Sequence, residues 1–258
     1  MTIKAILFDI DGTLIERGQP VRGAADVISH VRSQGIETRF LTNITGQTPA
    51  RIAAHLSALG IAVDAAEVQT ATTVCVDMLR ARPDVRCHLL VPAAVMPMFE
   101  GIARDDTHPD VIVVSDIGEG FTFATLNRAF KMLRAGAELL ALQKNMFWFD
   151  ADGVKLDCGP FVLALEAASG KTATVTGKPS KVFFETALAG LSCARNDVLI
   201  VGDDLNTDIA GGNQAHIRTA LTGTGKYADG QRTSVHWKED YFLDSVADLP
   251  RLLSQLDL

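Results

Sequence analysis

Two short apolar runs, Ala5-Ile6-Leu7-Phe8 and Val198-Leu199-Ile200-Val201, each lead within two residues into a loop rich in aspartate. Four apolar residues in a row, without polar alternation, suit a strand buried on both faces. Helix-period segments lie between such runs. Ala24, Val27, Ile28 and Val31 fall at i, i+3, i+4 and i+7, and Arg51–Leu59 continues the style with Gly60 as a stop. Thr38–Leu41, Leu89-Leu90-Val91 and Val111–Val114 read as further strands, and Leu126, Ala129, Phe130 and Leu133 as another helix stripe. Strands that alternate with helices predict an α/β fold, a doubly wound, Rossmann-like parallel sheet covered on both faces. Ligands of such sheets gather beyond the carboxyl ends of the strands, and the aspartates stand there.

At 258 residues the chain is long for one simple core and suggests one large domain or two smaller ones. Its 47% apolar and 21% charged residues are those of a globular protein. A net charge of −7 argues against nucleic-acid or anionic-membrane partners. No apolar run reaches the roughly 20 residues of a membrane span, and none resembles a signal peptide. Cys75, Cys87, Cys158 and Cys193 are scattered, which argues against structural zinc or a disulfide framework and for reduced thiols in the cytoplasm. Phe147-Trp148-Phe149, then Asp150-Ala151-Asp152-Gly153, then Val154-Lys155-Leu156 reads as a hairpin.

Four motifs carry the chemistry. In Phe8-Asp9-Ile10-Asp11-Gly12-Thr13, two carboxylates share one side of an extended chain, and a hard cation such as Mg²⁺ would relieve their repulsion. A plain Asp turn after a strand is the competing explanation. Leu41-Thr42-Asn43 offers a hydroxyl and an amide to phosphoryl oxygens, or is an ordinary turn. In Gly177-Lys178-Pro179-Ser180, Lys178 precedes a helix containing Phe183, Phe184, Ala187, Leu188 and Leu191, with Pro179-Ser180 as its start. Taken singly, Lys178 reads as a solvated surface residue. In Gly202-Asp203-Asp204-Leu205-Asn206-Thr207-Asp208, three acids within six residues repel one another unless a cation is bound. Asp204 alone reads as an exposed loop acid, and Asp208 as a charge in a helix's first turn. Four motifs on one sheet edge supply a nucleophile, an acid, polar donors, a cation and metal ligands, the inventory of phosphoryl transfer.

In this order the motifs resemble the haloacid dehalogenase-like (HAD) hydrolases. The insert between the second and third motifs resembles the NagD-like subclass, with an α/β cap set into a HAD core. Gly159–Glu166, Thr174–Ser180 and Thr222-Gly223-Thr224-Gly225-Lys226-Tyr227 resemble the branch containing phospholysine phosphohistidine inorganic pyrophosphate phosphatase. The resemblance implies a core of residues 1–68 and 176–258 and a cap of 69–175. It implies Asp9 as nucleophile, Asp11 as acid and base, and Thr42, Asn43 and Lys178 as substrate contacts. It places Mg²⁺ on Asp9, the Asp11 carbonyl and Asp203, with Asp208 secondary. Ile44 follows Asn43 where relatives often carry a polar residue. The expected activity is hydrolysis of a small phosphorylated metabolite, and a homodimer through the cap is a possible assembly. A dehalogenase or phosphonate-cleaving enzyme and a non-catalytic binding protein are the alternatives.

Overall fold

The computed structural model describes residues 2–150, 153–228, 230 and 236–256. They divide into two compact units. The first comprises Met1–Thr42, Pro49–Gln69 and Lys178–Leu258; the second comprises Asn43–Thr48 and Thr70–Gly177.

The first unit is built on a six-stranded sheet. Its spatial order is Tyr241–Leu243, Arg218–Thr222, Val198–Gly202, Ala5–Asp9, Glu37–Thr42 and Val68–Thr70. The two apolar runs of the sequence pair in parallel at its centre, Ala5 opposite Val198 through Phe8 opposite Val201. All five residues of each of these strands are buried, as unbroken apolar runs require. Burial of each large side chain contributes about 1.5–3 kcal/mol. From Ala5–Asp9 the chain builds outward on one side to Glu37–Thr42, then returns on the other side at Val198–Gly202. In open α/β sheets ligands bind at such a reversal of strand order, beyond the carboxyl ends of the strands. The helix Ala24–Ser33 buries Ala24, Val27, Ile28 and Val31, the stripe its spacing predicts. Pro49–Ala58 is also helical and ends before Gly60, whose φ is +85°.

The second unit repeats the layering. Its five-stranded sheet runs Thr174–Val175, Glu138–Ala141, Val111–Val114, Arg86–Leu90 and Ala103–Arg104, every pairing parallel. Alternate residues serve opposite faces. Val111 and Val113 join one apolar cluster with Cys75, Leu79 and Phe99, whereas Ile112 and Val114 join another with Ala129, Leu133 and Val162. Helix starts are fixed locally. Thr70 and Thr73 exchange side-chain to backbone hydrogen bonds of 3.1 and 3.0 Å at the head of Ala71–Arg80. Thr122 accepts from the Thr125 N–H at 3.2 Å ahead of Phe123–Arg134. Each such cap is worth about 1 kcal/mol.

The hairpin forms a separate two-stranded sheet of Phe147–Asp150 and Gly153–Leu156; Ala151 and Asp152, its expected turn residues, lie outside the described residues. On this hairpin Trp148 is exposed and carries the Lys155 ammonium 5.6 Å from its ring centre. Its neighbours Val154 and Leu156 are exposed as well.

Candidate active site

The site grows from the ends of the two central strands. Ala5–Asp9 ends with Asp9 buried, and the chain then folds tightly: the Ile10 carbonyl accepts from the Leu14 and Ile15 N–H groups at 2.9 and 3.0 Å. Gly12 makes this turn possible. Its φ is +92°, and a Cβ there would stand 2.2 Å from Asp203 Oδ2. Val198–Gly202 ends beside it in Asp203 and Asp204, followed by a π-helical turn, Leu205–Ile209. Such turns are rare and recur at functional sites.

The carboxylates of Asp9, Asp203 and Asp208 converge, each with one oxygen within 4.8 Å of the others, and all three residues are buried. Lys178 reaches into this group. Its ammonium donates to Asp9 Oδ1 at 2.5 Å, to Asp208 Oδ1 at 2.7 Å and to the Leu41 carbonyl at 3.5 Å. The Thr13 hydroxyl donates to the other Asp9 oxygen at 3.1 Å. Lys178 is only 4% exposed, so the reading of it as a solvated surface residue is wrong. Burial works against its charge, but Asp208 and Asp9 more than offset that and hold its pKa above the usual lysine value.

Two anions beside one buried ammonium leave the cluster short of positive charge. Burial pushes Asp208 up to about 7 against the pull of Lys178, and the charges of Asp9 and Asp204 add to the rise. Burial, then Asp9 and Asp208, also push Asp203 well above the usual carboxylate range. Asp11 is exposed by surface area yet ringed by protein atoms. That loss of solvation, and next the charge of Asp9, push its pKa up to about 6. Its carboxylate is not part of the converging group.

Asp204 corrects the sequence reading. It is buried, not an exposed loop acid. Its carboxylate accepts from Lys226 Nζ at 2.7 Å and from the Asn206 N–H at 2.8 Å. Burial alone would raise its pKa, but Lys226 and the Asn206 N–H hold it below the usual value. Asp208 stands in the first turn of a helical segment, as its sequence reading has it, but the segment is the π-helical turn ahead of the helix Ala210–Gln214, and the residue is buried. Its Oδ2 accepts from the Asp204 N–H at 3.2 Å.

Thr42 closes the strand Glu37–Thr42 and is buried. Asn43 belongs to the second unit, where a Cβ on Gly177 would meet its side-chain oxygen at 2.5 Å. The helix after Lys178 spans Lys181–Ala189, two residues short of Leu191, where its apolar pattern ends. Ser180 holds the N-cap position without a capping bond, its hydroxyl buried and unpartnered.

Residues 6–102 match the family model for haloacid dehalogenase-like hydrolases, and residues 175–249 match a HAD-hydrolase-like model. Human haloacid dehalogenase-like hydrolase domain-containing protein 2 is 36% identical over 225 residues, covering 87% of this chain and 86% of its own. The chain belongs to the haloacid dehalogenase-like hydrolases. Phospholysine phosphohistidine inorganic pyrophosphate phosphatase of Xenopus laevis is 31% identical, over 95% of this chain and 92% of its own. Among solved structures, NagD of E. coli K-12 superposes with a TM-score of 0.86 at 26% identity, covering 96% of this chain and 98% of NagD. A 4-nitrophenylphosphatase of Thermotoga maritima gives 0.88 at 23% identity over 96% and 97%, a likeness of fold. Among the HAD hydrolases the chain is of the NagD-like group.

One residue of this HAD site escaped the motif reading. Lys226 lies within Thr222–Tyr227, where its sequence context assigns it no role. Its backbone N–H donates to Asp203 Oδ2 at 2.6 Å while its ammonium holds Asp204. The signal was there in a glycine-rich turn ending in lysine after a strand, but its partners lie over twenty positions upstream.

Proposed function

We propose that the chain is a phosphatase that hydrolyses a small phosphorylated molecule through a phosphoryl group carried on Asp9. One observation carries this reading: the buried Asp9 carboxylate lies between Lys178 and Thr13, with Asp203 and Asp208 converging on it.

The residues fit a hard divalent cation, and Mg²⁺ is the natural choice. All three converging donors are carboxylate oxygens, and burial, then the charge of neighbouring carboxylates, raises the pKa of two of them, Asp203 and Asp208. Asp9, Asp203, Asp208 and the Asp11 carbonyl would hold it. When bound, it supplies positive charge that offsets the phosphoryl oxygens and the attacking carboxylate.

The chain's own groups account for the rest. Lys178 holds the Asp9 carboxylate aimed, through a short buried ion pair. An Asp9 oxygen attacks phosphorus, the phosphorus–oxygen bond to the leaving group breaks, and Asp11 gives its proton to the departing oxygen. A pKa near 6 lets Asp11 carry that proton close to neutral pH and then, ionised, take one from water. The water oxygen bonds to phosphorus, the bond to Asp9 breaks, and inorganic phosphate leaves. Thr42 and Asn43 contribute polar contacts to phosphoryl oxygens. The second unit, whose main segment Thr70–Gly177 is inserted between Gln69 and Lys178, would be the cap of this family and select the leaving group. Free thiols and relatives named as phosphatases support a small-molecule enzyme of the cytoplasm.

The test is hydrolysis of p-nitrophenyl phosphate with and without Mg²⁺. Asp9→Asn is expected to cost at least about a thousandfold in rate, and excess EDTA to silence the wild type. An Asp9→Asn variant with a tenth or more of the wild-type rate would remove the nucleophile assignment. Chloride release from a haloacid without phosphate release would favour dehalogenation.

A further inference from the structure

The acids of the second loop are split between two fates. Asp203 and Asp204 are neighbours in sequence and both are buried, yet only Asp203 joins Asp9 and Asp208. Asp204 starts within reach of the same group, because its own N–H bonds to Asp208 Oδ2 at 3.2 Å. The Asn206 N–H holds one Asp204 oxygen at 2.8 Å, and one residue engages both acids. The Lys226 N–H meets Asp203 at 2.6 Å and the Lys226 ammonium meets Asp204 at 2.7 Å.

The turn that presents Lys226 is itself fastened to the nucleophile loop. The Thr224 hydroxyl donates to the Gly12 carbonyl at 2.5 Å, and the Gly223 N–H donates to the Leu243 carbonyl at 2.8 Å. Gly225 has φ +55° and lies so close that a Cβ would stand 2.1 Å from Asp203 Oδ2 and 2.5 Å from Gly12 Cα. Only a glycine admits this approach. Thr222–Lys226 thus straps the Gly12 turn to the Asp203 loop and delivers Lys226 to both acids.

We propose that Lys226 is a positioning residue that sorts the two acids, its backbone N–H fixing Asp203 in the cation-binding group and its ammonium keeping Asp204 out. This rests on the metal-dependent phosphatase reading above. The consequence is ion choice. Mg²⁺ needs a near-octahedral shell at about 2.0–2.1 Å, whereas Ca²⁺ accepts about six to eight oxygens at 2.3–2.6 Å. An Asp204 released from Lys226 adds a carboxylate, which favours the larger ion.

The experiment measures Mg²⁺ and Ca²⁺ binding to the full chain by isothermal titration calorimetry, with no substrate present. Lys226→Met keeps the backbone N–H and removes the ammonium. The ratio of Mg²⁺ to Ca²⁺ affinity is expected to fall about tenfold, and Asp204→Asn added to Lys226→Met to restore it. A purely structural ion pair would not move this ratio. If Lys226→Met fails to fold, Lys226→Gln holds a carboxylate less firmly than lysine does and is expected to lower the ratio about threefold. Wild-type Mg²⁺ binding with an unchanged ratio in the folded variant overturns the sorting role alone. A wild type that binds neither ion overturns the metal-dependent reading and the sorting role together.

Discussion

Replacing Lys178 by methionine tests the electrostatics of the site without any substrate. The side chain is nearly isosteric, so packing changes little, but Asp9 and Asp208 lose the ammonium that lies 2.5 and 2.7 Å from their carboxylates. Both acids are buried, and breaking a buried ion pair by removing one partner costs about 3–5 kcal/mol. At about 2–4 °C per kcal/mol for a protein of this size, the melting temperature in EDTA should drop by about 6–20 °C at pH 8. The sign with pH follows from the carboxylates. Asp208 already stands near 7 with Lys178 present, and losing a cation raises it further. A group whose folded pKa lies above its unfolded value favours the folded state at low pH, and that contribution disappears as pH rises through the folded pKa. The gap between wild type and Lys178→Met should therefore be widest at pH 8 and shrink towards pH 5. Differential scanning calorimetry at both pH values, in EDTA, measures it. A melting temperature within 2 °C of wild type at pH 8, or a gap that grows on acidification, would refute the account.

Two further outcomes follow from packing. Cys75, Cys87 and Cys158 are fully buried and burial raises their thiol pKa values, Cys87 to about 11, whereas Cys193 is half-buried. Ellman's reagent at pH 8 is therefore expected to titrate Cys193 first in the native protein and all four thiols after denaturation; three or more reacting fast contradicts this. Gly211→Ala sets a Cβ 1.9 Å from the buried Phe184 ring, an overpacking that costs about 1–3 kcal/mol. Its urea midpoint should fall, whereas that of Gly46→Ala, with open space at the same position, should match wild type.

The sheet was legible because its strands are covered on both faces and read as continuous apolar runs. Val111–Val114 and Val198–Gly202 appear at nearly the bounds their sequences announce. Arg218–Thr222 does not read this way, since two of its five residues are threonine. Thr219 is buried there because Asp240 accepts from both its N–H and its hydroxyl, at 2.9 and 3.1 Å, a partnership twenty-one residues distant. Short edge strands such as Val68–Thr70 carry too few residues for a pattern. Asn43–Thr48 follows a strand of one unit but packs with the other, which no local property of those six residues encodes.

At the site, the acids were legible singly, Lys178 only through its order among the four motifs, and Lys226 not at all. Crowded carboxylates announce themselves, because repulsion makes them expensive without a reason to be there. A lysine announces nothing, since most lysines are solvated. Lys178 and Lys226 are both drawn inside by acids that sequence distance hides: Asp9 lies 169 positions from Lys178, and Asp204 lies 22 from Lys226. The two pairings divide the labour. Lys178 stands on Asp9 and Asp208, within the converging group, where its charge would bear on the proposed attack. Lys226 engages the one acid of the loop that stays outside that group. Removing the first therefore strips charge from the chemistry, whereas removing the second adds a ligand to it. A cluster of four acids and two cations is in this sense specified by the cations, whose positions in the sequence look the least informative.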